Sequence, residues 1–162
     1  MPALARRDVP LRMIAERLHL LPLDKLIRAP GIGEGCRLTI QYHDGRLPDQ
    51  VATLLISQAQ AGQAQFSVSY RAPSGKPLSV TPVLPIERAR AVTAGLRSLG
   101  FDRLDDMPDL PWRDADLWLV ERAVGSFSRD LVLAPQQASG PYIAVVALFS
   151  TQLWEALRPL NP

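Results

Sequence analysis

An α+β domain built on one antiparallel sheet of about six or seven strands, with two or three helices packed on it, is the fold class this sequence predicts. Two patterns carry the prediction. Apolar and polar residues alternate with period two in several short segments bounded by Gly and Pro. The connections between those segments are too short for the crossovers that parallel strands need. A chain of 162 residues with 47% hydrophobic and 21% charged residues has enough apolar surface for one core. Those proportions, with a mean hydropathy of +0.02, exclude a wholly disordered chain, a collagen and a coiled coil. We divide the chain into an N-terminal helix and linker over residues 1–35 and a single α+β domain over residues 36–162.

Asp8 is placed to cap a short helix with Pro10 in its first turn and Leu11, Ile14, Leu18 and Leu21 at helical spacing, stopped by Pro22. The Pro and Gly content from Pro22 to Gly35 marks an irregular connection. Cys36, Leu38, Ile40 and Tyr42 then alternate with Arg37, Thr39, Gln41 and His43, which predicts a half-buried strand. Val51 to Ser57 reads as a second strand, although its periodicity also admits a short helix. Phe66, Val68 and Tyr70 mark a third strand, and the Pro73-Ser74-Gly75 turn leads to a fourth over Leu78 to Leu84. Pro82 lacks a ladder donor and therefore puts this fourth strand at an edge or ends it early.

The next helix has complete start and stop signals: Pro85 and Glu87 at its start, Ile86, Ala89, Val92, Leu96 and Leu99 on one stripe, and Gly100 after it. Residues 102–116 hold six Asp and two Pro and read as a loop pinned by Leu104, Leu110 and Trp112. Leu117 to Val124 and Ser128 to Ala134 flank Gly125 as a hairpin. Tyr142 to Phe149 is expected to be a buried strand, with Ser150 capping a last helix that contains Leu153, Trp154 and Leu157. An offset of 65 positions sets Ser74-Gly75 on Ser139-Gly140 and Leu78 on Ile143, which predicts two β-β-β-α halves.

No apolar stretch approaches the roughly 18 residues of a spanning helix, and no secretory h-region is seen, so a cytoplasmic protein without membrane insertion is expected. Cys36 is the single cysteine, which excludes an internal disulfide, and its apolar parity predicts a buried, inert thiol. The formal net charge is +2, with 13 basic and 7 acidic residues in positions 1–100 against 5 and 9 in positions 101–162. Of the basic residues 16 are Arg, a bias that GC-rich, bacterial-like codon usage explains as well as guanidinium chemistry does.

His43 beside Asp44 is the candidate acid-base pair, because a carboxylate can orient an imidazole for proton transfer. Neighbours on a strand point to opposite faces, so a solvated His and an Asp-Gly turn is the competing reading. Asp102, Asp105, Asp106 and Asp109, with Asp114 and Asp116 beyond them, are the candidate cation ligands, although the EF-hand glycine and terminal Glu are absent. Gly31, Gly33 and Gly35 have the composition of a phosphate loop but precede a strand rather than a helix, so no nucleotide and no other cofactor is expected. Arg88, Arg90 and Arg97 share the polar side of the second helix. With Trp112, Trp118 and Trp154 they form the candidate interaction set.

The order of a helix, Leu99-Gly100-Phe101, Leu104, an acidic loop, a hairpin and a terminal helix resembles small emfourin-type protease inhibitors over about half the chain. Pro73-Ser74-Gly75 stands where that family has a Gly-Gly-Phe type turn, and we assign no family on this likeness. With no convergent catalytic set, the expected function is a non-catalytic protein-interaction or self-association module acting through a sheet edge or exposed apolar patch. Its expected partner is another protein or a second copy in a homo-oligomer. A small hydrolase or metal-assisted enzyme using His43 and Asp44, or the Asp-rich loop, is the alternative. Nucleic-acid binding through the Arg-rich first 100 residues is a further and less favoured one.

Overall fold

Six strands, β1 (Ile32–Gln41), β2 (Gln50–Ser57), β3 (Ala64–Arg71), β4 (Pro77–Val80), β5 (Leu117–Val124) and β6 (Phe127–Leu133), form one sheet in the order β4-β3-β2-β1-β5-β6. Every neighbouring pair is antiparallel. The computed structural model describes residues 7–45, 47–58, 64–111 and 113–157. Within them are four α-helices, α1 (Asp8–Arg17), α2 (Leu23–Ile27), α3 (Ile86–Ser98) and α4 (Pro141–Gln152), and three single 3₁₀ turns. The α+β class with one antiparallel sheet is therefore as the sequence predicts.

β1 is the longest strand and is paired on both sides, which is why its residues from Gly35 to Ile40 are buried on both faces. Its register sorts the sheet into two surfaces. One carries rows such as Leu38 with Ala52, Val68 and Val80 toward one edge, and Val120 and Leu131 toward the other. Against this apolar surface lie α3 and α4, with Phe149 of α4 edge-on to Trp118 at 6.1 Å between ring centroids. The opposite surface carries Arg37, Thr53 and Ser67 in one row with Glu121 and Asp130. It receives α1, whose Arg12 pairs with both Glu121 and Asp130. The helices thus cover both faces rather than one, because β1 and β5 bury side chains on each side.

Two glycines of α3 and its end are required, one by packing and one by backbone conformation. Gly95 of α3 lies where a Cβ would stand 2.5 Å from Leu148 Cδ1, so α3 and α4 approach closely there. Gly100 adopts φ +68°, the left-handed turn that ends α3 as the sequence predicts.

The segment expected to be a strand at residues 142–149 is instead the body of α4, and the helix expected from Ser150 is reduced to its last turn and the 3₁₀ turn Trp154–Ala156. Gly140-Pro141 starts α4, with Pro at the first helical position where its missing N–H costs nothing. Burial recurs at Val145 and Phe149, four residues apart, which is helical spacing. The two halves are also unequal, four strands before α3 and two before α4, so the 65-residue offset sets β4 against a helix. β1 begins at Ile32, making Gly33 and Gly35 strand residues and not a phosphate cradle.

Candidate functional site

β1 and β5 pair as far as Gln41 with Leu117, so the residues just past the end of β1 meet those just before β5. His43 Nδ1 accordingly lies 2.7 Å from Asp116 Oδ1, which also accepts the His43 backbone N–H at 3.0 Å. Gln136 Nε2 donates to the other oxygen of Asp116 at 2.7 Å. The carboxylate hydrogen-bonded to His43 is therefore Asp116 from the acidic loop, 73 residues away, while the negative charge of Asp44 also raises the His43 pKa. The hydrogen bond to Asp116 raises the His43 pKa above its ordinary value. Partial burial works against ionised Asp116, but the bonds from His43 and Gln136 outweigh it and lower its pKa.

This pair borders a cavity of about 360 Å³ walled by Ile40, Trp118 and Val146. Ser150 lines the same cavity, but its hydroxyl donates to the Val146 carbonyl at 2.8 Å, a bond within α4. The arrangement can hold a proton on His43. Among the described residues no serine or cysteine is hydrogen-bonded to the imidazole as a nucleophile would be.

The acidic loop is spent on structure. Both oxygens of Asp102 accept from Arg122 Nη1, at 2.8 and 2.7 Å. Asp105 reaches Arg129 at 3.2 Å, Asp106 Oδ1 accepts the Val132 N–H, and Asp109 sits in a left-handed turn at φ +55°. The carboxylates at 102, 105, 106 and 109 diverge to these separate positions. Among the described residues no group of three or more His, Cys, Asp or Glu could hold a metal ion. The loop instead covers the outer edge of β6: Met107 N–H donates to the Val132 carbonyl at 2.9 Å, and Arg129 donates to the Leu104 carbonyl at 2.6 Å.

The candidate interaction residues separate. Trp118 is 5% exposed and belongs to the core, so it does not contribute to an outer docking surface. Trp112 lies outside the described residues. Trp154 is 53% exposed, and the Arg88 guanidinium stacks over its ring at 3.5 Å while reaching both oxygens of Glu155 and the Gln152 carbonyl. Arg88 is thus an internal clamp joining α3 to the end of α4, whereas Arg90 and Arg97 are exposed on α3. Cys36 is buried, and burial pushes its pKa up to about 12.

A surface that alternation did not reveal lies at β4. Leu78 and Val80 share the parity of the core rows, yet they are 45% and 46% exposed because α3 does not extend over the sheet edge, and Val83 beyond them is 93% exposed. Ala72 N–H donates to the Lys76 carbonyl. Bonded pairs alternate in an antiparallel ladder, so Leu78 and Val80 bond inward to β3 and Ser79 turns its N–H and C=O outward. The signals were the shortness of the segment and Pro77 and Pro82 around it, which mark an edge but not how far its neighbours cover it.

No family model and no curated protein matches this chain, so the partial likeness to emfourin-type inhibitors has no match behind it. No helix among the described residues is long and apolar enough to cross a membrane.

Proposed function

We propose that this protein is a non-catalytic interaction module whose contact surface is the open β4 edge with the apolar side chains beside it. The observation that carries this reading is the asymmetry of the two sheet edges. β6 has its outer edge covered by residues 104–107, while all four residues of β4 are exposed and two of them are apolar. An unpaired edge with apolar neighbours is a template for an added strand, which other edges blunt with charge, Pro, shortness or a cover; β4 is four residues long and begins with Pro77, so Ser79 is the residue of β4 that offers both N–H and C=O outward. β4 carries no charged residue, since its sequence is Pro-Leu-Ser-Val. The occupant is an extended segment of a protein partner or β4 of a second copy, and a buried lone cysteine suits a cytoplasmic setting.

Light scattering after size exclusion at roughly 1 to 100 µM, on the wild-type chain and on Val80→Lys, tests this reading, with the same two proteins as baits in host lysate. A homo-oligomer, or a stoichiometric protein partner, that the lysine abolishes is the expected result. A wild-type chain that is monomeric throughout and retains no partner, or complexes that Val80→Lys leaves intact, would overturn it.

A further inference from the structure

The cavity that His43 and Asp116 border, about 360 Å³ in volume, falls within the roughly 300 to 1,000 Å³ of small-molecule sites. Tyr42, Val146 and Leu157 line it and are only partly buried against the core, which leaves apolar surface for a ligand. Ile40 and Trp118, cross-strand neighbours on β1 and β5, stand behind them and are almost fully buried.

The His43 side chain is 36% exposed and lines the same cavity, so its imidazole is within reach of a bound molecule. A carboxylate only accepts hydrogen bonds, so the ring hydrogen held by Asp116 sits on Nδ1. Nε2 has no hydrogen bond among the described residues. It accepts a hydrogen bond when the ring is neutral and donates one when the ring is protonated. Gln136 and the His43 backbone N–H fix the carboxylate, and with it the tautomer and the direction of the ring.

Charge then selects the ligand. Asp116, Asp44 and Asp114 set a negative field at the ring, which disfavours an anion, while the proton that His43 holds disfavours a cation. A hydroxyl both donates and accepts, so it matches Nε2 in either protonation state. A flat aromatic body suits apolar walls that include the ring of Tyr42. We propose that this cavity binds a small neutral aryl alcohol, with its hydroxyl on His43 Nε2 and its ring against Tyr42, Val146 and Leu157. The site is at the end of β1, three strands from β4, and is independent of the β4 edge.

An NMR titration of the isotope-labelled full chain tests the proposal with three probes: p-cresol, toluene, which lacks the hydroxyl, and p-toluate, which carries a carboxylate in its place. Two variants accompany it. His43→Gln removes the imidazole, and Ser150→Trp, at an exposed position that lines the cavity, puts a bulky ring across it. The expected result is saturable p-cresol binding, with shifts centred on His43, Asp116 and Val146, at least ~5-fold tighter than toluene or p-toluate. His43→Gln should weaken p-cresol by a similar factor, and Ser150→Trp should abolish its binding. No saturation by p-cresol up to ~10 mM, equal binding of toluene or p-toluate, or unchanged p-cresol affinity in folded Ser150→Trp would overturn it. If Ser150→Trp does not fold, His43→Gln decides: p-cresol affinity unchanged by loss of the imidazole overturns the proposal.

Discussion

His43 and Asp116 close the end of the β1–β5 ladder through two hydrogen bonds to one carboxylate oxygen, one from the imidazole and one from the backbone. A raised His pKa means that the folded state binds the proton more tightly than the unfolded chain. The His43 contribution is therefore complete below its unfolded value near 6.5 and is lost as pH rises through the higher folded value. Asp116 has the opposite sign: its contribution is present above the unfolded carboxylate value and lost as pH falls through the depressed folded one. Thermal melting of wild type and His43→Gln should differ most between about pH 5 and 6, and the difference should shrink on the alkaline side. In an NMR titration, Asp116→Asn should move the His43 midpoint down toward about 6.5. A midpoint indifferent to that substitution would deny the coupling.

The Cys36 thiol, 1% exposed and with its pKa pushed up by burial to about 12, should not react with a disulfide reagent at pH 8 in the native protein. In denaturing urea it should react fully, and at intermediate urea its reactivity should follow the unfolding transition. Rapid labelling under native conditions would show that the β1 region opens locally.

Arg122 is buried at 6% exposure; among the described residues its side-chain acceptors are the two oxygens of Asp102, and its Nε has no partner. Asp102→Ala leaves that charge uncompensated. Full burial of the pair would make this a loss of 3 kcal/mol or more; because Asp102 is itself 36% exposed, water softens the loss to about 2 kcal/mol. Asp105→Ala, on the same loop at a side chain 97% exposed, should change stability by less than ~1 kcal/mol. Urea denaturation of the two variants side by side distinguishes a structural loop from a uniformly solvated one.

Gly35 lets α2 lie against β1: a Cβ there would stand 3.0 Å from the Leu54 carbonyl oxygen and 3.1 Å from Ile27 Cγ2. Gly35→Val should cost about 1 to 3 kcal/mol by overpacking and should loosen α2 from the sheet. Limited trypsin digestion should then cut faster after Lys25 and Arg28, on and just beyond that helix. Unchanged digestion would place the strain elsewhere.

The strands were legible because their apolar and polar residues alternate, as Cys36, Leu38 and Ile40 do with Arg37 and Thr39, although β1 proves buried on both faces and not the half-buried strand that this alternation predicts. α3 was legible because Pro85 and Gly100 bound an amphipathic stripe. The run from Tyr142 to Phe149 misled for the same physical reason. When nearly every residue is apolar there is no periodicity to read, and β-branched Ile143, Val145 and Val146 tilt the reading toward a strand. Packing overrides that propensity: Val145 and Phe149, one turn apart, reach the sheet together, and Pro141 fixes the helix start.

Sequence alone determined the class of fold, the edge character of β4 and the burial of Cys36, since each follows from local pattern and from the bonding limits of single residues. Tertiary structure decided that Asp116 rather than Asp44 serves His43, that Trp118 is core while Trp154 is surface, and that the acidic loop covers β6. Each of these depends on which distant residues the sheet order sets side by side, and strand order is a property of the assembled core that no single segment encodes.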